Sequence, residues 1–91
     1  MMIPRATFTE VNADDPASYV GVWKSAGGFV RQELLPDGRY SEVRGKRASA
    51  AGHYYVSQSG LALESDSGAL AGGTFKEGAL HQGGMIFYKV A

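Results

Sequence analysis

The sequence predicts an all-β fold: a small antiparallel up-and-down meander of about 7–8 strands that curls into a barrel, with a short 3₁₀ turn before the first strand. Three observations carry this. Turn residues recur about every 8–12 positions with no helical period between them, the spacing of a sandwich or barrel. The 13 glycines fall at those intervals. Five tyrosines and four phenylalanines supply strand formers that a helical bundle would not favour. Consecutive hairpins give the up-and-down order, and closure removes the unpaired edges that make an open sheet prone to aggregate.

In chain order, Met1 to Asn12 has no sustained pattern and reads as a tail, with Thr7-Phe8-Thr9 as an extra edge strand at most. At Asp14-Asp15-Pro16-Ala17-Ser18 a helix start is indicated, Asp15 as the cap and Pro16 at the first helical position, but only one turn fits. Tyr19 to Lys24 is the first strand and Phe29 to Leu35 the second. Pro36-Asp37-Gly38 is a hairpin turn: proline sets a type I turn and glycine takes the left-handed bulge position. Arg39 to Arg44 returns as the third strand. Gly45 to Ala51 lacks strand character and reads as a loop or a single helical turn. Further strands follow at 52–57, 61–65 and 69–76, turned at Gln58-Ser59-Gly60, Asp66-Ser67-Gly68 and Glu77-Gly78. Ala79 to Val90 is a final strand, bent or bulged at Gly83-Gly84.

A chain of 91 residues holds one domain: a tail and helical turn over 1–18, then a barrel over 19–91. Nine basic and nine acidic side chains leave no net charge, which argues against gripping nucleic acid or membrane by bulk electrostatics. With no cysteine there is no disulfide framework, thiolate metal site or cysteine nucleophile. A signal peptide is not evident in residues 1–10, and a cytoplasmic location is the expectation. No run approaches the roughly 20 apolar residues of a membrane helix.

The hairpin at Pro36-Asp37-Gly38 also predicts a register. If Leu35 pairs with Arg39, then Leu34 faces Tyr40, Gln32 faces Glu42 and Val30 faces Arg44. These six share one face, and Phe29, Arg31, Glu33, Leu35, Arg39, Ser41 and Val43 share the other. Charge stands on both faces. Either the hairpin lines a partly polar barrel interior, where Glu42 and Arg44 must be paired or wet, or it is a solvated edge with ordinary surface charges.

Gly21-Val22-Trp23 after a helical turn resembles the opening of avidin-like and lipocalin-like barrels, whose tryptophan packs into the closed end. The run from Val30 to Tyr40, with Glu42, Arg44, Gly45, His81, Gly84, Met85 and Tyr88, resembles a small bacterial family of unknown function. That family is typified by an Agrobacterium protein with a streptavidin-like barrel, and the resemblance spans Tyr19 to Lys89. It implies a fold and a ligand cavity. The biotin-binding residues of the avidins have no residue-by-residue match, so biotin binding is not implied.

The expected function is a small-ligand-binding module with a partly polar cavity, its ligand held between Trp23, Gln32, Tyr40, Glu42, Arg44, His81 and Tyr88. Trp23 is either the structural plug, which the resemblance favours, or a ligand-stacking wall. The alternative is an interaction module that forms a homodimer or binds a partner through edge strands. An enzyme using Glu42, Arg44 and His81 ranks below both, and no catalytic residue is assigned. His53 and His81 lack the further converging ligands a metal needs, and no cofactor motif is present. Arg44, Lys46 and Arg47 lie near Tyr40, Tyr54 and Tyr55 in sequence, a pattern that also suits single strands. With zero net charge, a solvated basic loop is the preferred reading, and neither nucleic acid nor membrane is expected as a partner.

Overall fold

The computed structural model describes residues 10–91 as a closed eight-stranded antiparallel barrel in which each strand pairs with its neighbours in sequence. The strands are β1 (Gly21–Ser25), β2 (Val30–Leu34), β3 (Arg39–Arg44), β4 (Arg47–Ser57), β5 (Gly60–Ser65), β6 (Leu70–Lys76), β7 (Ala79–Gln82) and β8 (Met85–Lys89). A 3₁₀ turn at Pro16–Ser18 precedes them. Closure comes from β1 pairing with β8, Trp23 opposite Lys89 and Ser25 opposite Phe87. No helix among the described residues is long and apolar enough to cross a membrane. The expected edge strand at Thr7-Phe8-Thr9 lies outside the described residues.

Pro16 takes the first helical position as expected, but the Asp15 side chain does not cap the turn. Ser18 does the local work instead. Its hydroxyl donates towards the carbonyls of Asp15 (2.7 Å) and Asn12 (3.0 Å) and accepts from the Asn12 N–H (2.8 Å).

The 36–38 turn forms as the residues dictate. Leu35 N–H donates to Arg39 O at 2.8 Å and Gly38 adopts φ +87°. Two stretches differ from expectation. Residues 47–51 are strand: the turn is confined to Gly45-Lys46, and β4 runs from Arg47 against β3. Ala48 to Ala51 has little intrinsic strand preference, and pairing on the ladder overrides it. Ala79 to Val90 is two strands joined by Gly83-Gly84, with Gln82 opposite Met85 and Leu80 opposite Phe87. Both glycines have positive φ (+59° and +77°), as a two-residue hairpin turn of type I′ requires.

Because turns alternate between ends, the 35–38, 58–59 and 77–78 connections share one end with the N-terminal segment. The 26–29, 45–46, 66–69 and 83–84 connections share the other. The first end is plugged. Trp23 is fully enclosed, its ring tilted against Phe75 with centroids 5.5 Å apart, and its Nε1–H donates to Tyr19 O at 2.9 Å. Tyr19 meets Tyr54 edge-on at 6.1 Å, and the Tyr54 hydroxyl donates to Leu35 O at 2.6 Å. Leu34, Leu61, Leu63, Leu80 and Phe87 complete the apolar core.

A candidate ligand cavity at the barrel mouth

The β2–β3 register is the one the turn predicts: Leu34 opposite Tyr40, Gln32 opposite Glu42, Val30 opposite Arg44. That face points inward, since Val30, Gln32, Leu34, Tyr40 and Glu42 are all buried. At the last step the strand leaves the interior, and Arg44 lies at the rim with half its side chain exposed. The hairpin therefore supplies both apolar core and a polar interior.

Three side chains converge on Glu42. Gln32 Nε2–H donates to Oε1 at 3.0 Å. Arg44 Nε–H donates to Oε2 at 3.0 Å, and the Ser49 hydroxyl to the same oxygen at 2.7 Å. The second Nε2 hydrogen of Gln32 reaches Gln82 Oε1 at 3.1 Å, tying β2 to β7 across the barrel. Ser49 arrives there through a β-bulge. Glu42 pairs with Ala50 and Val43 with Ala48, so Ser49 is the extra residue on β4 and its hydroxyl turns back onto the carboxylate.

Burial pushes the Glu42 carboxyl up, but the hydrogen bonds from Ser49, Gln32 and Arg44, with the Arg44 charge, outweigh it. Its pKa falls below the ordinary value, so at neutral pH this side chain is an ionised acceptor inside the barrel. The neighbouring Tyr40 phenol is raised, first by burial and then by the Glu42 charge, and stays protonated.

Tyr40, Glu42, Arg44, Ser49 and Gln82 border an open cavity of about 490 Å³, within the size of common small-molecule sites. Ala50, Leu63, Ala71 and Leu70 give it an apolar wall, and Ser65, Asp66 and Ser67 complete the lip. Asp66 is already engaged from outside by both Nη atoms of Arg39, at 2.9 and 2.8 Å. Chemically the cavity offers an ionised carboxylate, hydroxyls and a guanidinium edge beside an apolar surface.

Of the residues read from the sequence, Tyr40, Glu42 and Arg44 line this cavity, and Gln32 lies behind Glu42 and Gln82. Trp23 faces inward but belongs to the plug. His81 and Tyr88 do not join the site. With Leu80 and Phe87 fully buried, their alternating neighbours point outward, and both border a shallow groove on the outer wall. Their inward placement is corrected by the strand registers: Phe75 opposite Leu80 sets the parity of β7, and Leu80 opposite Phe87 that of β8. Sequence reasoning missed Ser49, inside a stretch read as a loop or a single helical turn, and Gln82, whose inward direction follows from the β6–β7 register. Among the described residues, no three metal-ligating side chains converge.

The comparisons agree with this architecture. The family model for the Agrobacterium tumefaciens protein Atu4866 matches residues 16–89. The solution structure of the protein Atu4866 from Agrobacterium tumefaciens is 47% identical in sequence. It superposes with a TM-score of 0.71 over 80% of this chain and 95% of that one. No curated protein matches. The chain belongs to the Atu4866 family, a small bacterial family of unknown function.

Proposed function

We propose that this member of the Atu4866 family is a binding module that holds a small amphipathic molecule in the mouth of its barrel. The observation that carries the reading is the uneven filling of the interior. One end is packed with aromatic and aliphatic side chains, while the other holds an ionised Glu42 on the wall of an open cavity. Burying a carboxylate and two amides adds less to a core than apolar groups of the same size would. Their presence supports a recognition role, with the apolar wall of Ala50, Leu63 and Ala71 taking the body of the ligand.

The competing readings have less support. All eight strands are paired on both sides, which gives strand addition by a partner no free edge among the described residues. Proton transfer shared by Glu42 and His81 has no geometric basis, because the barrel wall separates them. The test is a chemical-shift screen of ¹⁵N-labelled protein against a library of metabolites. Saturable shifts gathered on Gln32, Tyr40, Glu42, Ser49 and Gln82 are expected. Shifts confined to the outer wall, or none across an amphipathic library, would overturn the reading.

A further inference from the structure

We infer that the head group this cavity takes is a cationic N–H donor, an ammonium or amidinium, in preference to a carboxylate or phosphate; the inference rests on the mouth being a binding site. Depth decides the sign. The Glu42 side chain is 11% exposed and that of Arg44 is 49%, so a head group entering the cavity passes the guanidinium at the rim and ends against the carboxylate. An anion at that depth would meet a like charge in a partly desolvated site.

The hydrogen-bond count points the same way. A carboxylate offers about four acceptor positions. Oε2 of Glu42 already takes Ser49 and Arg44, whereas Oε1 takes only Gln32. One acceptor position on Oε1 is therefore open. The Gln32 amide that donates to it carries, at its own Oε1, the one buried side-chain polar atom without a partner among the described residues. Gln32 cannot relieve this by turning over. Its Nε2 is fixed by two acceptors, Glu42 Oε1 and Gln82 Oε1, and a flipped amide would set its carbonyl against both. The result is one open acceptor position on Oε1 of the charged, cavity-lining Glu42, backed by a neutral amide whose carbonyl has no donor. A head group with an N–H bond and a positive charge supplies both the donor and the countercharge at the Glu42 position, and a hydroxyl supplies the donor alone. A carboxylate supplies neither.

The test is a matched series on one apolar tail: hexylammonium, hexanol and hexanoate, each titrated into ¹⁵N-labelled protein at neutral pH and equal ionic strength. Hexylammonium is expected to shift the Glu42, Ser49 and Gln82 amides and to bind about tenfold tighter than hexanol, as a charge-assisted hydrogen bond allows. Hexanoate is expected to bind weakest, and Glu42→Gln to erase the preference. Hexanoate binding as tightly as hexylammonium, or a preference that survives Glu42→Gln, overturns the head-group assignment while the cavity stands. Failure of all three to shift the mouth removes the cavity reading, and this one with it. Should Glu42→Gln not fold, Arg44→Gln gives the same decision: hexylammonium binding must hold or tighten, and a fall overturns the assignment.

Discussion

The two ends of the barrel are built by the same strands to opposite specifications. At the plugged end, Leu34 of β2 and Tyr54 of β4 pack with Trp23 and Phe75, and each polar atom of the aromatic residues has a fixed partner: Trp23 Nε1 on Tyr19 O, Tyr54 Oη on Leu35 O. At the mouth, one inward step along β2 and β3 brings Gln32 and Glu42, which hold each other in place and leave acceptors unused. A barrel this small buries only about 60% of the surface its unfolded chain exposes, so it has little stability to spare. Polar groups inside it then call for a reason other than folding. The contrast separates an apolar, fully satisfied end from a polar, partly unsatisfied one along the barrel axis, and on the proposed reading each can be perturbed without the other.

The largest effect belongs to the plug. Trp23→Ala removes a fully enclosed indole and its hydrogen bond, and large-to-small substitutions of this kind cost about 3–5 kcal/mol. Since small domains have roughly 5–15 kcal/mol in all, urea unfolding followed by circular dichroism should show much of the stability gone. A midpoint close to that of the wild type would mean that the plug is not the stabilising half.

The mouth should respond with the opposite sign. Replacing Gln32, Glu42 and Gln82 together by leucine exchanges a buried polar cluster for apolar contacts of similar volume. Such exchanges are often neutral or stabilising by about 1–4 kcal/mol. The same urea experiment is expected to give an equal or higher midpoint, with ligand binding abolished. A loss as large as that of Trp23→Ala would show that the polar cluster is part of the core, and the contrast between the ends would collapse.

How far the sequence discloses this division depends on turn chemistry. Pro36-Asp37-Gly38 permits one hairpin geometry, so the register that sets Gln32 opposite Glu42 could be read directly. Gly83-Gly84 permits both a bulge within a strand and a two-residue turn between strands. The second brings Met85–Lys89 back as β8, while the pairing of Phe75 with Leu80 across β6 and β7 sends His81 outward and Gln82 inward. Ser49 was hidden for another reason. Alanine and serine neighbours carry no strand signal, and the bulge that delivers its hydroxyl exists only once β4 has paired with β3. Gly52, on the same strand, shows the same dependence on tertiary structure. A Cβ there would collide with the backbone carbonyl of Glu64 on β5, so the close approach of these strands requires glycine. The barrel and half of the site thus follow from local pattern, and the other half from how strands meet.

A smaller effect tests the plug by pH. Tyr54→Phe removes one hydrogen bond and should cost about 1 kcal/mol at neutral pH. Burial first, then Tyr19 and Asp37, push the Tyr54 phenol up to about 12. The unfolded chain ionises at about 10. The unfolded state therefore loses its proton first, and the stability due to this phenol is full below about pH 10 and lost as pH rises toward 12. The unfolding midpoint of the wild type should fall across that window, and that of Tyr54→Phe should fall less. Parallel profiles would mean that Tyr54 is solvated and the plug looser than its contacts imply.

The smallest effect is the sharpest test of the mouth. Ser49→Ala removes the hydroxyl of an exposed residue and should change stability by about 1 kcal/mol or less. Its consequence lies in Glu42, where burial already pulls the carboxyl upward and the Ser49 hydrogen bond is the largest influence opposing it. Without that bond the Glu42 carboxyl should titrate higher, as followed by ¹³C NMR of the side-chain carboxyl. Because the folded value is held below the unfolded one, stability from Glu42 is present above the unfolded value and lost as pH falls through the folded one. In Ser49→Ala that loss should begin at higher pH. An unmoved Glu42 titration would show that water, not the bulge, keeps this carboxylate charged, and that the mouth lacks the preorganised acceptor a specific ligand would need.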